Sequence, residues 1–359
     1  MRPLAPARAG ALRVGLPDGS GPVSVLLPTV REGARPPGRV GVFQWGGSSG
    51  SRNLRFPDGA GDLIGFGAAT DLAGGDIATA RVFFGVATAG KWISPQRTFV
   101  RVDVEIDLDN NGTVDARVVN TSAGNLNGDD ITDDSLADDF LVSASRRTLG
   151  TNWTGGDVLN LLDPRTQDTA VFHNGVLVLS APAPAIGLGA RKTSFRYRVA
   201  VATEGANETS GWASFDLAAP LVSTATPGID GSPWFEEGRR LPLRVARTGS
   251  AVQALLLHLH NRIGSQAEVV RLDPSGDDLD GNGLPDVLEL AHFDGLGNVA
   301  TADPDGDGLS TADELRQGSD PVDAVSPLRV EAFSAAAGTE LRWPGREGRR
   351  YSVLRADRL

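Results

Sequence analysis

The sequence predicts a mainly β chain: antiparallel β-sandwich structure over 14–272, a small acidic module with short helices over 273–322, and a short β segment over 323–359. Three observations predict it. Between residues 23 and 272, runs such as PVSVLLPTV, ARVFFGVAT and SFRYRVAVAT alternate with Gly, Pro, Asn and Asp punctuation, the pattern of many short strands joined by turns. Over 101–108, apolar Val102, Val104, Ile106 and Leu108 alternate with Arg101, Asp103, Glu105 and Asp107, the period of a half-buried strand. Helical periodicity is nearly absent before residue 284.

In chain order, residues 1–13 read as a disordered N-terminus, with arginines but no apolar core to make a signal peptide. The 14–272 region forms one sandwich or two, with a split near 148 or 220. Asp273-Pro-Ser-Gly ends its last β run, and two helix candidates follow, 285–292 with Pro at the helix start and 310–317. From 327 onwards LRVEAF, TELRWPG and RRYSVLRA read as three strands, too few for a stable sandwich alone.

Composition narrows the chemistry. The chain has 359 residues, 40% of them apolar, so it can bury a large core. Its net charge is -11, with Asp crowded into 103–139 and 273–322, and this argues against nucleic acid, which requires a continuous basic face. No apolar stretch approaches the roughly 20 residues of a membrane span. There are no cysteines, so disulfides, zinc-thiolate sites and thiol nucleophiles are excluded.

Clustered carboxylates point to a cation instead. Two segments fit the calcium-loop pattern D-x-[DN]-x-[DN]-G-x5-E. In DLDGNGLPDVLE, Asp278, Asp280 and Asn282 stand at loop positions 1, 3 and 5, then Gly283, the Leu284 carbonyl, Asp286 at 9 and Glu289 at 12. In DPDGDGLSTADE, Asp303, Asp305, Asp307, Gly308, the Leu309 carbonyl, Thr311 and Glu314 take the same places. Calcium is a hard cation that takes six to eight oxygens, and alternate residues of a tight loop aim oxygens inward. Glycine at position 6 permits the bend, and the glutamate swings in from the following helix. The competing reading is a pair of solvated acidic turns. A strand and turn, not a helix, precede Asp278, so the loops predict a static staple rather than a sensor.

A third acidic loop lies between strand-like runs. IDLDNNGTVD offers Asp107, Asp109, Asn111, the Thr113 carbonyl and Asp115 at alternate positions, but position 12 is Val118. It reads equally as a third calcium site or as an Asn-Gly hairpin turn whose carboxylates face water. The acidic stretch NLNGDDITDDSLADDF has no regular spacing and reads as a solvated loop.

No catalytic residue is assigned. There is no serine-protease turn of the Gly-Thr-Ser-Met-Ala type, and the one methionine is Met1. His258 and His260 alternate within a β run and share one face, where packing is the simpler reading than metal binding. Trp45, Trp92, Trp153, Trp212 and Trp234 could form a sugar-stacking row, though core packing is the commoner fate.

The segment DLDGNGLPDVLELAHF...TADPDGDGLSTADELRQGSDP resembles the paired aspartate-rich loops of thrombospondin type 3 repeats and dockerin-like modules of secreted bacterial proteins. The tail LRWPGREGRRYSVLRADRL is similar to immunoglobulin- or fibronectin-like segments that follow such repeats. VFFGVATAGKWISPQRTFVRVDVEIDLDNNGTVDARVVN, VFHNGVLVLSAPAPAIGL and LLLHLHNRIGSQAEVV resemble the non-catalytic β region behind the protease domain of bacterial subtilisin-like proteases. These resemblances imply a calcium-binding, non-catalytic structural or spacer region of a secreted or cell-surface protein. The alternatives are a calcium-dependent adhesion or docking module with a protein or carbohydrate partner outside the cell, and a carbohydrate-active β-sandwich.

Overall fold

The computed structural model describes residues 11–16, 22–27, 39–49, 59–72, 75–97, 99–122, 141–148, 153–159, 172–204, 206–224, 228, 234–236, 240–259, 266–274, 276–293, 295–325, 331–335 and 338–342. The chain divides into two compact units, Met1–Gly276 and Asp277–Leu359.

The first unit is all β among its described residues, apart from one 3-10 turn at Ala183–Ile186. Its strands are β1 (Ala11–Gly15), β2 (Val23–Leu27), β3 (Arg39–Gly47), β4 (Leu63–Thr70), β5 (Arg81–Trp92), β6 (Val100–Asp107), β7 (Ala116–Ser122), β8 (Leu141–Arg147), β9 (Thr154–Val158), β10 (Asn174–Pro182), β11 (Ser194–Thr203), β12 (Ala206–Thr209), β13 (Ala213–Asp216), β14 (Val222–Thr224), β15 (Trp234–Glu236), β16 (Leu241–Val245), β17 (Val252–Leu259) and β18 (Ala267–Asp273). One sheet runs β1-β18-β17-β3-β4-β5-β10, with β15 also on β3. A second runs β12-β11-β6-β7-β8-β9, with β13 on β11, and a third is β14-β16-β2. Pairing is antiparallel except for β1, which lies parallel to β18. The mainly β, sandwich-like class expected from the alternating runs is therefore what the chain adopts. Strands from both sides of residues 148 and 220 share these sheets.

The main core lies between the first two sheets. Phe66, Phe84 and Val86 from the first meet Val102, Val104, Ile106, Val118 and Tyr197 from the second. Tyr197 sits among aromatic rings, with centroids 5.6 Å from Phe66, 5.4 Å from Phe84 and 5.8 Å from Phe195. Gly46 is bare for a reason: a Cβ there would come within 2.5 Å of the Tyr197 hydroxyl and 2.6 Å of the Phe66 ring. The first sheet is apolar on its other face as well, where Phe43, Phe83, Val176, Trp234, Leu255 and Leu257 form a second cluster. That double burial is why β5, β10 and β17 read as continuous apolar runs rather than alternating ones.

Two expectations change here. Residues 11–13, expected to lie in a disordered N-terminus, belong to β1, whose Arg13 pairs with Asp273 at 3.0 Å. Asp107, on the polar side of the alternation, is fully buried, because it ends β6 and its carboxylate turns back under the next loop. Elsewhere on β6 the alternation holds, with Val102, Val104 and Ile106 inward.

The second unit contains α1 (Asp286–His292), α2 (Thr311–Gln317) and the antiparallel pair β19 (Glu331–Ala335) and β20 (Gly338–Arg342). Ser310 caps α2 by accepting from the Asp313 N–H at 3.2 Å, and left-handed Gly318 ends it. Both helices are only seven residues long and are held by the loops in front of them. RRYSVLRA and NLNGDDITDDSLADDF lie outside the described residues. Among the described residues no helix is long and apolar enough to cross a membrane.

Candidate metal centres

The three acidic loops share one local geometry. In the first, Asp278 Oδ1 accepts from the N–H groups of Gly281 (2.8 Å) and Asn282 (3.1 Å), and Oδ2 accepts from Gly283 (2.9 Å). In the second, Asp303 accepts from Gly306 (2.8 Å) and Gly308 (2.9 Å). In the third, Asp107 accepts from Asn110 (2.8 Å), Asn111 (3.2 Å) and Gly112 (2.9 Å). Position 5 then accepts the N–H of position 7: Leu284 to Asn282 at 2.8 Å, Leu309 to Asp307 at 2.8 Å, Thr113 to Asn111 at 2.6 Å.

Positive φ occurs at position 6, as expected, in Gly283 (85°), Gly308 (93°) and Gly112 (86°). It also occurs at position 4, in Gly281 (71°), Gly306 (76°) and Asn110 (67°), which the sequence reading overlooked. The signal was present, since glycine and asparagine are the residues that tolerate this region.

Position 9 differs with position 2. Asp286 accepts from the Leu279 N–H at 3.0 Å, and Asp115 accepts from the Leu108 N–H at 2.7 Å. The second loop has Pro304 at position 2, which has no N–H to give. Its position 9 is Thr311, which bonds the Ala302 carbonyl instead, at 3.1 Å.

Each loop gathers ligand oxygens. Asp107, Asp109 and Asp115, then Asp278, Asp280 and Asp286, then Asp303, Asp305 and Asp307, each bring one carboxylate oxygen per residue within 4.8 Å of one another. Three groups of acidic side chains can therefore each hold a metal ion. The donors are all oxygen, which suits hard cations rather than zinc or copper.

The loops part company at position 12. Glu289 and Glu314 lie on α1 and α2 and are both fully buried. Val118 of the third loop sits in the sandwich core. Glu289 Oε1 accepts from Asn282 Nδ2 at 2.9 Å and from Asn298 N at 2.8 Å, while Oε2 meets no donor. Among the described residues neither oxygen of Glu314 meets one, nor do the buried Oδ2 atoms of Asp305 and Asp307. The Ser319 hydroxyl eases the charge on Glu314 only in part, since its hydrogen bond goes to the Glu314 main-chain carbonyl at 3.3 Å. Burial, and then the neighbouring Asp305, push the Glu314 carboxyl up to about 7. Burial and the charges of Asp307 and Asp303 also raise Asp305. In the first loop, burial works against charge on Asp278, but the N–H groups of Gly283 and Gly281 outweigh it and hold its carboxyl below the usual range.

Comparison with protein-family models, curated proteins and solved structures finds no match.

The third loop carries its own counter-charge. Arg196 on β11 lies opposite Asp107 on β6 in register, and its guanidinium binds Asp107 Oδ2 while lying 5.3 Å from the Trp212 ring. Burial alone would raise Asp107, but Arg196 and the Gly112 and Asn110 N–H groups hold it below its ordinary value. Nothing local in the sequence marks this pair.

The other described candidates are not gathered into a site. His258 is buried on β17 with Nε2 3.7 Å from Glu268 Oε2, and His260 lies outside the described residues. Trp92, Trp153 and Trp234 are buried, Trp45 packs against the second apolar cluster, and Trp212 lies against Arg196 and Arg198. The described tryptophans make no exposed row.

Proposed function

We propose that the two acidic loops of the second unit bind calcium, and that this unit is a calcium-stabilised, non-catalytic structural module of a protein working outside the cell. The observation that carries the reading is Glu314. It is a buried carboxylate with both oxygens unpaired, facing two aspartates whose Oδ2 atoms are also buried and unpaired. Such a cluster is costly to bury unless a cation neutralises it. Two twelve-residue loops with oxygen donors at positions 1, 3, 5, 9 and 12 favour calcium over magnesium, which keeps more of its water and demands a tighter octahedron. Sites of about 10⁻⁴–10⁻³ M suffice outside cells, where calcium is plentiful. With no disulfide available, bound calcium supplies the staple, because binding free energy becomes folding free energy. The third loop is proposed as a hairpin that the chain closes by itself, through Arg196 and without a position-12 carboxylate.

Calcium titration by calorimetry tests the reading. The parent chain is expected to bind two ions, and Asp278→Ala and Asp303→Ala to lose one each. A flat titration of the parent chain would end it.

The second site also carries a pH signature. Calcium needs ionised Glu314, whose carboxyl titrates near 7 instead of the ordinary 4.5. Apparent affinity at this site is expected to be constant well above pH 7 and to fall towards tenfold per unit below it, with proton release on binding. Without calcium the sign reverses. The protonated form is the one the fold tolerates, so the stability it contributes is fully present below 4.5 and lost as pH rises through 7. Titrations of Asp278→Ala at several pH values check this.

A further inference from the structure

The two position-12 glutamates are not equivalent, and the difference is made by a residue outside both loops. Asn298, in the connection between α1 and α2, donates its backbone N–H to Glu289 Oε1 at 2.8 Å and its side-chain amide to the same oxygen at 3.0 Å. The amide is fixed in that sense, because Nδ2 also donates to the Gly295 carbonyl at 2.9 Å. Gly297, at φ 85°, makes the turn that brings the Asn298 N–H round to the carboxylate. The Asn298 carbonyl in turn accepts from Asn282 Nδ2 at 3.1 Å, which ties the same residue to loop position 5. Among the described residues the second loop has no such support: nine residues past Glu314 stands Asp323, whose N–H goes to the Asp320 carbonyl at 3.1 Å.

We infer that Asn298 is a positioning residue of the first cation site, holding Glu289 by one oxygen so that the other, Oε2, is presented ready-made to the ion. This rests on the calcium reading of the loops. A carboxylate already anchored by three N–H donors, two of them from Asn298 and one from Asn282, loses less freedom when the cation arrives, and outer-sphere donors of this kind commonly change metal affinity about 10- to 100-fold. The second site has no equivalent anchor and orders its glutamate only as it fills. The first site is therefore the preset one and the second the one that folds on binding.

The test is calcium calorimetry on the full chain in two backgrounds, Asp303→Ala to read the first site alone and Asp278→Ala to read the second. In the Asp303→Ala background, Asn298→Ala is expected to weaken binding at least about tenfold. Asn298→Asp, equal in shape but placing a carboxylate against Glu289, is expected to weaken it further. In the Asp278→Ala background both changes should leave affinity within about twofold, which also reports that the unit still folds. Unchanged affinity at the first site, equal losses at both sites, or an Asn298→Asp variant that binds like the parent would overturn the role of Asn298 while leaving calcium binding intact. Absence of binding heat in the parent chain would instead remove the calcium reading itself.

Discussion

In chelator at pH 8, Glu314→Gln is expected to melt higher than the parent chain, and calcium is expected to raise its melting temperature much less than the parent's. Both results follow from where Glu314 sits. Its buried carboxylate faces Asp305 and Asp307 with no donor on either oxygen, so without a cation the ionised form is repelled. A neutral amide removes both that repulsion and the cost of burying a charge, so the calcium-free fold gains. In calcium a second effect enters. At a concentration of about 100 Kd, binding stabilises the unit by roughly 2.7 kcal/mol. If loss of the two glutamate oxygens weakens the site about 100-fold, only about 0.4 kcal/mol remains, so calcium stabilises the variant far less than the parent. Differential scanning calorimetry of both chains, each with calcium and with chelator, reads the four melting temperatures. A variant that melts below the parent in both conditions would mean that Glu314 is a packing residue and not a ligand.

The largest stability loss is expected at Tyr197→Ala in the first unit, about 3–5 kcal/mol. Tyr197 is fully buried at the meeting point of the two sheets, with the rings of Phe66, Phe84 and Phe195 around it. Burial pushes its phenol well above its ordinary value, so it stays neutral across the working range. Truncation leaves a ring-sized cavity that the facing strands cannot fill without breaking their ladders. For a unit this large the melting transition should drop by on the order of 10 °C. Tyr197→Phe keeps the ring contacts and should cost no more than about 1.5 kcal/mol. Urea unfolding of the three chains separates the two effects. Similar losses for both variants would assign the stability to the hydroxyl above Gly46 rather than to the aromatic packing.

The acidic loops were legible in the sequence because their chemistry is contiguous. Twelve consecutive residues hold the aspartate, the two left-handed positions and the glutamate, and short-range hydrogen bonds from Gly281, Gly283, Gly306 and Gly308 shape them. The short helices behind them were legible for the same reason, as were the inward valines of β6. Period alone misplaced Asp107, because a strand's alternation ends where its loop begins.

Long-range pairing was not legible in this way. A β run states which face is apolar but not which strand lies beside it, and the partner is chosen by burial of whole sheets against one another. So β1 pairs with β18 from the far end of the unit, Arg196 meets Asp107 across 89 residues, and Arg13 meets Asp273 across 260. Asn298 belongs to the same class on a smaller scale. The connection must fold back over α1 before its N–H can reach Glu289, and no spacing within the twelve-residue loop records that return. The spacing of the aspartates alone marks the groups that could hold a cation. The fold decided that Arg196 neutralises the third loop's first aspartate, that Asn298 anchors the first loop's glutamate, and that the second loop's glutamate is buried with no donor of its own.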